Sequence, residues 1–280
     1  MKIIWCEQSG ILEDRQPFIS MLHDMDIGFR RLNWKHRESD PYANVYCDSG
    51  RVSWSKGREA LFETVKDELQ AGDYVVFADD DIEFVDGKDG LIALVDDLST
   101  HTPQLAVPYS TNWHNTNTMV SLKRNRCGAF PIFAADLQVQ IMRWDFAELV
   151  FPVIYDGGYG TLWYAYFFNA KLNGYGALCL PNCHIINTRH DVPDGDYGGD
   201  VNCKSNAIWA ESGPILPFGV RIVQRLFRIP RMEVIRIFNS LYARLPYWML
   251  IPDICGKSRI RKFRQSLAEL SASRLDSPLS

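Results

Sequence analysis

The chain has 280 residues, enough to bury a full hydrophobic core as one large domain or two small ones. Its 46% hydrophobic and 23% charged residues are ordinary for a folded protein and argue against intrinsic disorder. The net charge is only −4, and seven scattered cysteines suit reduced thiols better than a disulfide framework. The first apolar stretch is too short for a secretory signal and no apolar run reaches about 18 residues, so we expect a cytoplasmic protein.

Hydrophobic patterning predicts alternating strands and helices along the first part of the chain. The predicted strands are 2–6, 44–47, 74–77, 104–107, 129–134 and 176–180, and the predicted helices are 16–25, 56–70, 91–98 and 160–172. This alternation predicts an α/β fold with a mostly parallel central sheet and helices on both faces. Sheets of this kind bind ligands outside the carboxyl ends of their strands.

Three consecutive carboxylates, Asp79, Asp80 and Asp81, follow the buried strand at 74–77. Adjacent carboxylates repel one another, whereas a divalent cation bound between them makes the cluster favourable. A metal site is therefore the sharper hypothesis. A plain turn or helix cap is the alternative, because Asp is common in both.

A second group of polar and aromatic residues occupies 151–190. It combines a glycine-rich turn carrying Asp156 with aromatic side chains that could either pack in the core or stack on sugar rings. The glycines at 157–160 fit neither the Walker loop nor the dinucleotide-binding pattern, which argues against kinase and dehydrogenase functions.

The order of "VYCDSGRVSWSKGREALFETV", "DYVVFADDDIEF", "FP…YDGGYGTLW" and "HIINTRH" resembles the glycosyltransferases of GT-A fold, which carry an Asp-x-Asp motif. The resemblance covers roughly residues 1–190. It implies a Rossmann-like GT-A sheet and a nucleoside-diphosphate-sugar donor, linked to UDP or GDP. It also implies Mn²⁺ or Mg²⁺ as cofactor and a glycan or lipid-linked acceptor, as in bacterial surface polysaccharide or lipopolysaccharide synthesis.

The resemblance also suggests roles for individual residues. Asp81 would bind the metal, Asp79 the donor ribose with a further metal contact, and Asp80 would be a second or outer ligand. A histidine after the last core strand would complete the metal shell, and we favour His190 over His184. The other expected donor-binding residues are Glu7, Asp48, Lys56 and Arg189.

The catalytic residue is less directly indicated. Related sequences often have an acidic residue after a Gly-Trp-Gly segment, but here Gly158-Tyr159-Gly160 is followed by Thr161. Asp156 is the nearest carboxylate and is our candidate base for the acceptor hydroxyl, with a turn-forming role as the alternative. A retaining enzyme would not need this base, so the stereochemical outcome stays open.

The C-terminal part has a different charge. Residues 221–264 contain eleven Lys or Arg and two acidic residues, a local charge of +9, whereas residues 1–220 carry −12. We expect a glycosyltransferase domain at 1–215 and a basic, amphipathic helical extension at 216–280. Its bases alternate with Leu, Phe and Trp, which favours an anionic membrane surface on the cytoplasmic side over nucleic acid. A helical hairpin packed on the main domain is the alternative.

Two other functions remain open. One is a non-catalytic nucleotide- or sugar-binding protein on the same fold, because the expected acid is missing after Gly160. The other is a phosphatase with an Asp-x-Asp motif, which is disfavoured because such a motif usually lies near the N-terminus and continues with Thr or Val rather than Ile82-Glu83.

Overall fold

The computed structural model describes residues 1–36, 38–47, 54–110, 128–132, 138–152 and 177–189. Its strands are β1 (Ile3–Ser9), β2 (Ile27–Asn33), β3 (Tyr74–Asp79), β4 (Ile82–Phe84), β5 (Leu105–Ser110), β6 (Phe130–Ile132), β7 (Val139–Arg143) and β8 (Ala177–Asn187). Its helices are α1 (Gln16–His23), α2 (Trp54–Val65), α3 (Gly87–His101) and α4 (Trp144–Val150), with a 3-10 turn at Lys66–Glu68.

The described strands form one eight-stranded sheet in the order β2-β1-β3-β7-β5-β8-β4, with β6 paired to β8. Strands β1, β2, β3, β5 and β8 point the same way, whereas β4, β6 and β7 run in the opposite direction. The predicted α/β class is therefore confirmed. The sheet is mixed rather than mostly parallel, because β7 separates β3 from β5 and is antiparallel to both.

The direction in which strands are added reverses at β1. The chain places β2 on one side of β1 and then returns to place β3 on the other side, with both neighbours parallel to β1. At the carboxyl end Gln8 of β1 pairs with Asp79 of β3. In open α/β sheets this reversal leaves a crevice outside the strand ends, where ligands bind.

Helices cover both faces of the sheet because successive residues of a strand point to opposite faces. Trp5 of β1 belongs to a core cluster that includes Leu94 of α3 and further residues of α1. On the other face Phe62 of α2 and Phe77 of β3 both pack on Phe151, which follows α4, with ring centroids 5.0 and 5.4 Å away. Thus α1 and α3 share one face, and α2 and α4 share the other.

Most predicted elements that fall on described residues are present, with shifted ends. The exception among them is the strand predicted at 44–47, where only Val45 forms an isolated bridge with Leu32. Sequence analysis missed β2, β4, β7 and α4. It ended the last strand at residue 180, whereas β8 continues to Asn187 and contains His184.

Some predictions concern residues outside the described part of the chain. These are the helix at 160–172, the extension at 216–280, and the site residues Asp48, Asp156 and His190. The division into 1–215 and 216–280 therefore stays a prediction. Within the described ranges, none of the helices combines the length and apolar character needed to cross a membrane.

Candidate functional site

The three carboxylates lie at the turn between β3 and β4, at the carboxyl edge of the sheet. Asp79 is the last residue of β3, and β4 begins at Ile82 and pairs with β8. The main-chain carbonyl of Asp81 accepts hydrogen bonds from Thr188 N (2.9 Å) and Thr188 Oγ1 (3.1 Å). The fold thus brings the end of β8 directly to the carboxylate turn, although more than a hundred residues separate them in sequence.

Asp79 faces α2, and we call this side of the sheet edge the Asp79 face. Arg58 Nη2 lies 3.0 Å from Asp79 Oδ1, and its guanidinium is fully buried over the ring of Phe77. The neighbouring Gln8 packs on Gly57, where an added Cβ would overlap the Gln8 amide. Glycine at the start of α2 therefore allows β1 and α2 to approach closely beside Asp79.

Asp80 faces the opposite side, which we call the Asp80 face. Its Oδ2 accepts a 2.6 Å hydrogen bond from the hydroxyl of Ser9, at the end of β1. Its Oδ1 lies 3.6 Å from Arg189 Nη2, and the same nitrogen donates to Glu13 Oε2 at 2.9 Å. Consecutive carboxylates of the motif are therefore held from different sides by different elements.

A buried charge network lies beneath Asp80. Glu7 is fully buried and pairs with both Arg15 (2.6 Å) and Arg31. Arg31 also binds Asp40 Oδ2 through Nε at 2.7 Å. Glu7, which the sequence predicts as a donor-binding residue, is buried here and binds arginine side chains.

Burial shifts the ionisation of this network. It lowers the pKa of Arg15, while the nearby carboxylates Glu13 and Asp80 act to raise it. Burial acts to raise the pKa of Asp40, but hydrogen bonds from Asn33 and Arg31 outweigh it and hold that pKa below its ordinary value. Asp40 is therefore stabilised as the charged partner of Arg31.

The structure also describes two other predicted site residues, Lys56 on α2 and His184 on β8. Lys56 Nζ lies 3.1 Å from Glu59 in the first turns of α2 and is partly exposed. His184 lies within β8, with its ring 5.1 Å from that of Tyr109. It is three positions before Asn187, so at about 3.3 Å per residue it lies on the order of 10 Å from the strand end. Among the described residues no group of three or more His, Cys, Asp or Glu side chains is arranged as a metal site.

The donor set nevertheless fits a hard divalent cation, because carboxylate oxygens are the ligands that Mg²⁺ and Mn²⁺ prefer. The three carboxylates of Asp79, Asp80 and Asp81 follow one another at this turn, and Arg58 and Arg189 lie beside Asp79 and Asp80.

Sequence analysis missed Ser9, Arg15 and Arg31 as parts of the site. Ser9 gave no signal, since a serine after a strand is unremarkable. Arg31 had one available signal: it lies in "IGFRRLN", where two adjacent arginines interrupt a largely apolar segment, and a buried arginine requires a charged partner.

Comparisons with known proteins give little further information. No protein-family model matches the sequence, and no curated protein matches it. Among solved structures, the crystal structure of the protein A197 from STIV aligns with a TM-score of 0.40 and 14% sequence identity, covering 65% of this chain and 83% of that chain. A likeness of this strength supports no inference about fold or function.

Proposed function

We propose that the protein is a metal-dependent glycosyltransferase of GT-A type. It would transfer a sugar from a nucleoside-diphosphate-sugar donor to a glycan or lipid-linked acceptor. The observation that carries this proposal is the position of Asp79, Asp80 and Asp81 at the carboxyl edge of β3, beside the point where strand order reverses at β1. That crevice is where nucleotide ligands bind in open α/β sheets.

The charges around the carboxylates suit a diphosphate ligand. Arg58 lies beside Asp79 and Arg189 beside Asp80, so two guanidiniums flank the motif. Guanidinium groups match phosphate oxygens in geometry, and Arg189 is partly exposed. On donor binding, we propose that Arg189 exchanges its long contact with Asp80 for the diphosphate.

Each carboxylate then has a separate task. Asp81 and Asp79 would hold the divalent cation, with Asp80 as a second or outer ligand, and the cation when bound supplies positive charge to the departing diphosphate. Asp79 would also contact the ribose. Asp156 would accept the acceptor proton if configuration is inverted, because a hydroxyl is a weak nucleophile until its proton is removed. His190 would be a further metal ligand. The basic segment at 216–280 would bind an anionic membrane.

The test is turnover with a panel of UDP- and GDP-linked sugars in the presence of Mn²⁺. The natural protein is expected to hydrolyse or transfer one of them, and Asp81→Ala is expected to abolish this activity. Alanine keeps the main-chain carbonyl that binds Thr188, so the fold should survive the change.

The matched control is Asp96→Ala, which removes an exposed carboxylate from α3 at a distance from the motif. It should leave turnover unchanged. Tight nucleotide binding without turnover by the natural protein would favour a binding protein on this fold. Equal manganese dependence in the natural protein and Asp81→Ala would remove the metal assignment.

A further inference from the structure

The hydroxyl of Ser9 lies between Asp80 and the buried charge network. It accepts hydrogen bonds from Arg31 Nη2 at 2.8 Å and from Ile11 N at 3.1 Å. A hydroxyl has two acceptor lone pairs and one proton, so these two donors direct the proton elsewhere. Asp80 Oδ2, at 2.6 Å, is a closer acceptor than the carbonyl of Ile11, at 3.1 Å.

We infer that Ser9 is a positioning residue that fixes the orientation of the Asp80 carboxylate. A hydroxyl-to-carboxylate distance of 2.6 Å is typical of a charge-assisted hydrogen bond, which is stronger than a neutral one. With Oδ2 held by Ser9, Oδ1 is directed toward Arg189. The consequence for cation binding rests on the proposed function, whereas the orientation of Asp80 does not.

Ser9 can act in this way because its own position is fixed. It is buried at the end of β1, its carbonyl accepts a 3.0 Å hydrogen bond from Trp34 N, and it pairs with Asn33 of β2. Arg31, which donates to it, is held in turn by Glu7 and Asp40. Glu7 thus acts on Asp80 through Arg31 and Ser9.

This arrangement has a measurable consequence for metal binding. Groups that orient a metal ligand typically contribute about 10- to 100-fold to metal affinity when they are removed by mutation. Ser9→Ala deletes only the hydroxyl and leaves Asp80 itself in place. We therefore expect Mn²⁺ affinity, measured with a nucleoside diphosphate present, to fall by about 10- to 100-fold in this variant.

The control is Asn33→Ala, which disturbs the same network although the Asn33 side chain has no described contact with the side chain of Ser9 or Asp80. Asn33 Nδ2 donates to Asp40 Oδ2 and to the carbonyl of Ile11, both at 2.7 Å. A purely structural role for the network would lower Mn²⁺ affinity in both variants. A positioning role of Ser9 lowers it in Ser9→Ala and leaves Asn33→Ala close to the natural protein, as read from Mn²⁺ titrations by electron paramagnetic resonance.

A second readout needs neither metal nor activity. Crystal structures of the metal-free natural protein and Ser9→Ala are expected to show one Asp80 orientation in the former and a rotated or multiple carboxylate in the latter. An unchanged Asp80 in Ser9→Ala overturns the inference. If the natural protein binds no Mn²⁺ with any nucleoside diphosphate, the proposed function fails, and the Asp80 orientation still decides the role of Ser9.

Discussion

The two faces of the sheet edge treat neighbouring carboxylates differently. On the Asp80 face, Glu7 has two arginine partners and Arg31 has two carboxylate partners, all buried. On the Asp79 face, one buried arginine pairs with Asp79. There, within the part of the chain that the structure describes, the side-chain oxygen of Gln8 and both amide atoms of Gln140 are buried without a hydrogen-bond partner.

The Asp80 face is thus held by paired charges, whereas the Asp79 face contains polar atoms whose hydrogen-bonding capacity is unused among the described residues. Paired buried charges fix a geometry, whereas a buried amide without a partner carries a desolvation cost of about 1–3 kcal/mol. Paired charges therefore hold the carboxylate on the Asp80 face, whereas the Asp79 face includes buried amide atoms of Gln8 and Gln140 that carry this cost. Removing a buried charge from the Asp80 face and replacing the Gln140 amide on the Asp79 face should therefore have effects of opposite sign.

The largest expected effect is from Arg31→Met on the Asp80 face. It leaves Glu7 and Asp40 buried with fewer opposite charges, and removing one partner of a buried pair typically costs about 3–5 kcal/mol. Arg30→Met is the control, since Arg30 pairs with the partly exposed Glu68 and should contribute roughly 1 kcal/mol or less. Urea unfolding of both variants measures the two free energies of unfolding. Equal decreases in Arg31→Met and Arg30→Met would show that the buried charge network stabilises the protein no more than a surface ion pair.

The second largest expected effect is a stabilisation, caused by replacing Gln140 on the Asp79 face. Gln140 is fully buried in β7 beside Phe77, so Gln140→Met replaces an amide lacking a partner with an apolar side chain of similar length. The free energy of unfolding is expected to rise by about 1–3 kcal/mol. The control is Gln138→Met, which loses the bond from the Ser110 hydroxyl and should destabilise by about 1 kcal/mol. A destabilised Gln140→Met would mean that a polar partner, such as an ordered water, satisfies this amide.

Sequence patterning predicted the strands and helices whose apolar residues are contiguous or regularly spaced. It found β1, β3 and α3 because burial in these elements follows the apolar pattern directly. It missed β2 and β7, where buried Arg31 and Gln140 interrupt that pattern. A polar residue inside a strand is stabilised by partners that only tertiary structure supplies, so a local pattern cannot reveal it.

The site was predictable to a similar extent. The carboxylate turn and the approach of residue 189 could be anticipated, since both follow predicted strands of one sheet. Strand alternation predicts that Asp79 and Asp80 face opposite sides of the sheet. It does not predict which helices and strands contact each of them. Glu7 shows most clearly what the sequence could not predict. Its burial depends on pairing with Arg15 and Arg31, and no sequence motif connects Glu7 with either arginine.

The smallest expected effect is a difference in acid sensitivity between two buried aspartates. Hydrogen bonds from Asn33 and Arg31 overcome the effect of burial and hold the pKa of Asp40 low, whereas burial raises the pKa of Asp97 on α3. Asp40 therefore binds protons more weakly in the folded state than in the unfolded state. Its contribution to stability is present above the unfolded pKa of about 3.9 and is lost as pH falls through the folded pKa.

Asp97 should show the reverse slope. Its folded pKa is raised, so the folded state binds the proton more tightly, and stability falls as pH rises from the unfolded pKa through the folded one. We expect Asp40→Asn to lower stability at pH 7 and to flatten the loss below about pH 4, and Asp97→Asn to raise stability at pH 7. Urea unfolding at a series of pH values measures both slopes. If Asp40→Asn keeps the acid slope of the natural protein, the ionisation of Asp40 does not stabilise the network beneath Asp80.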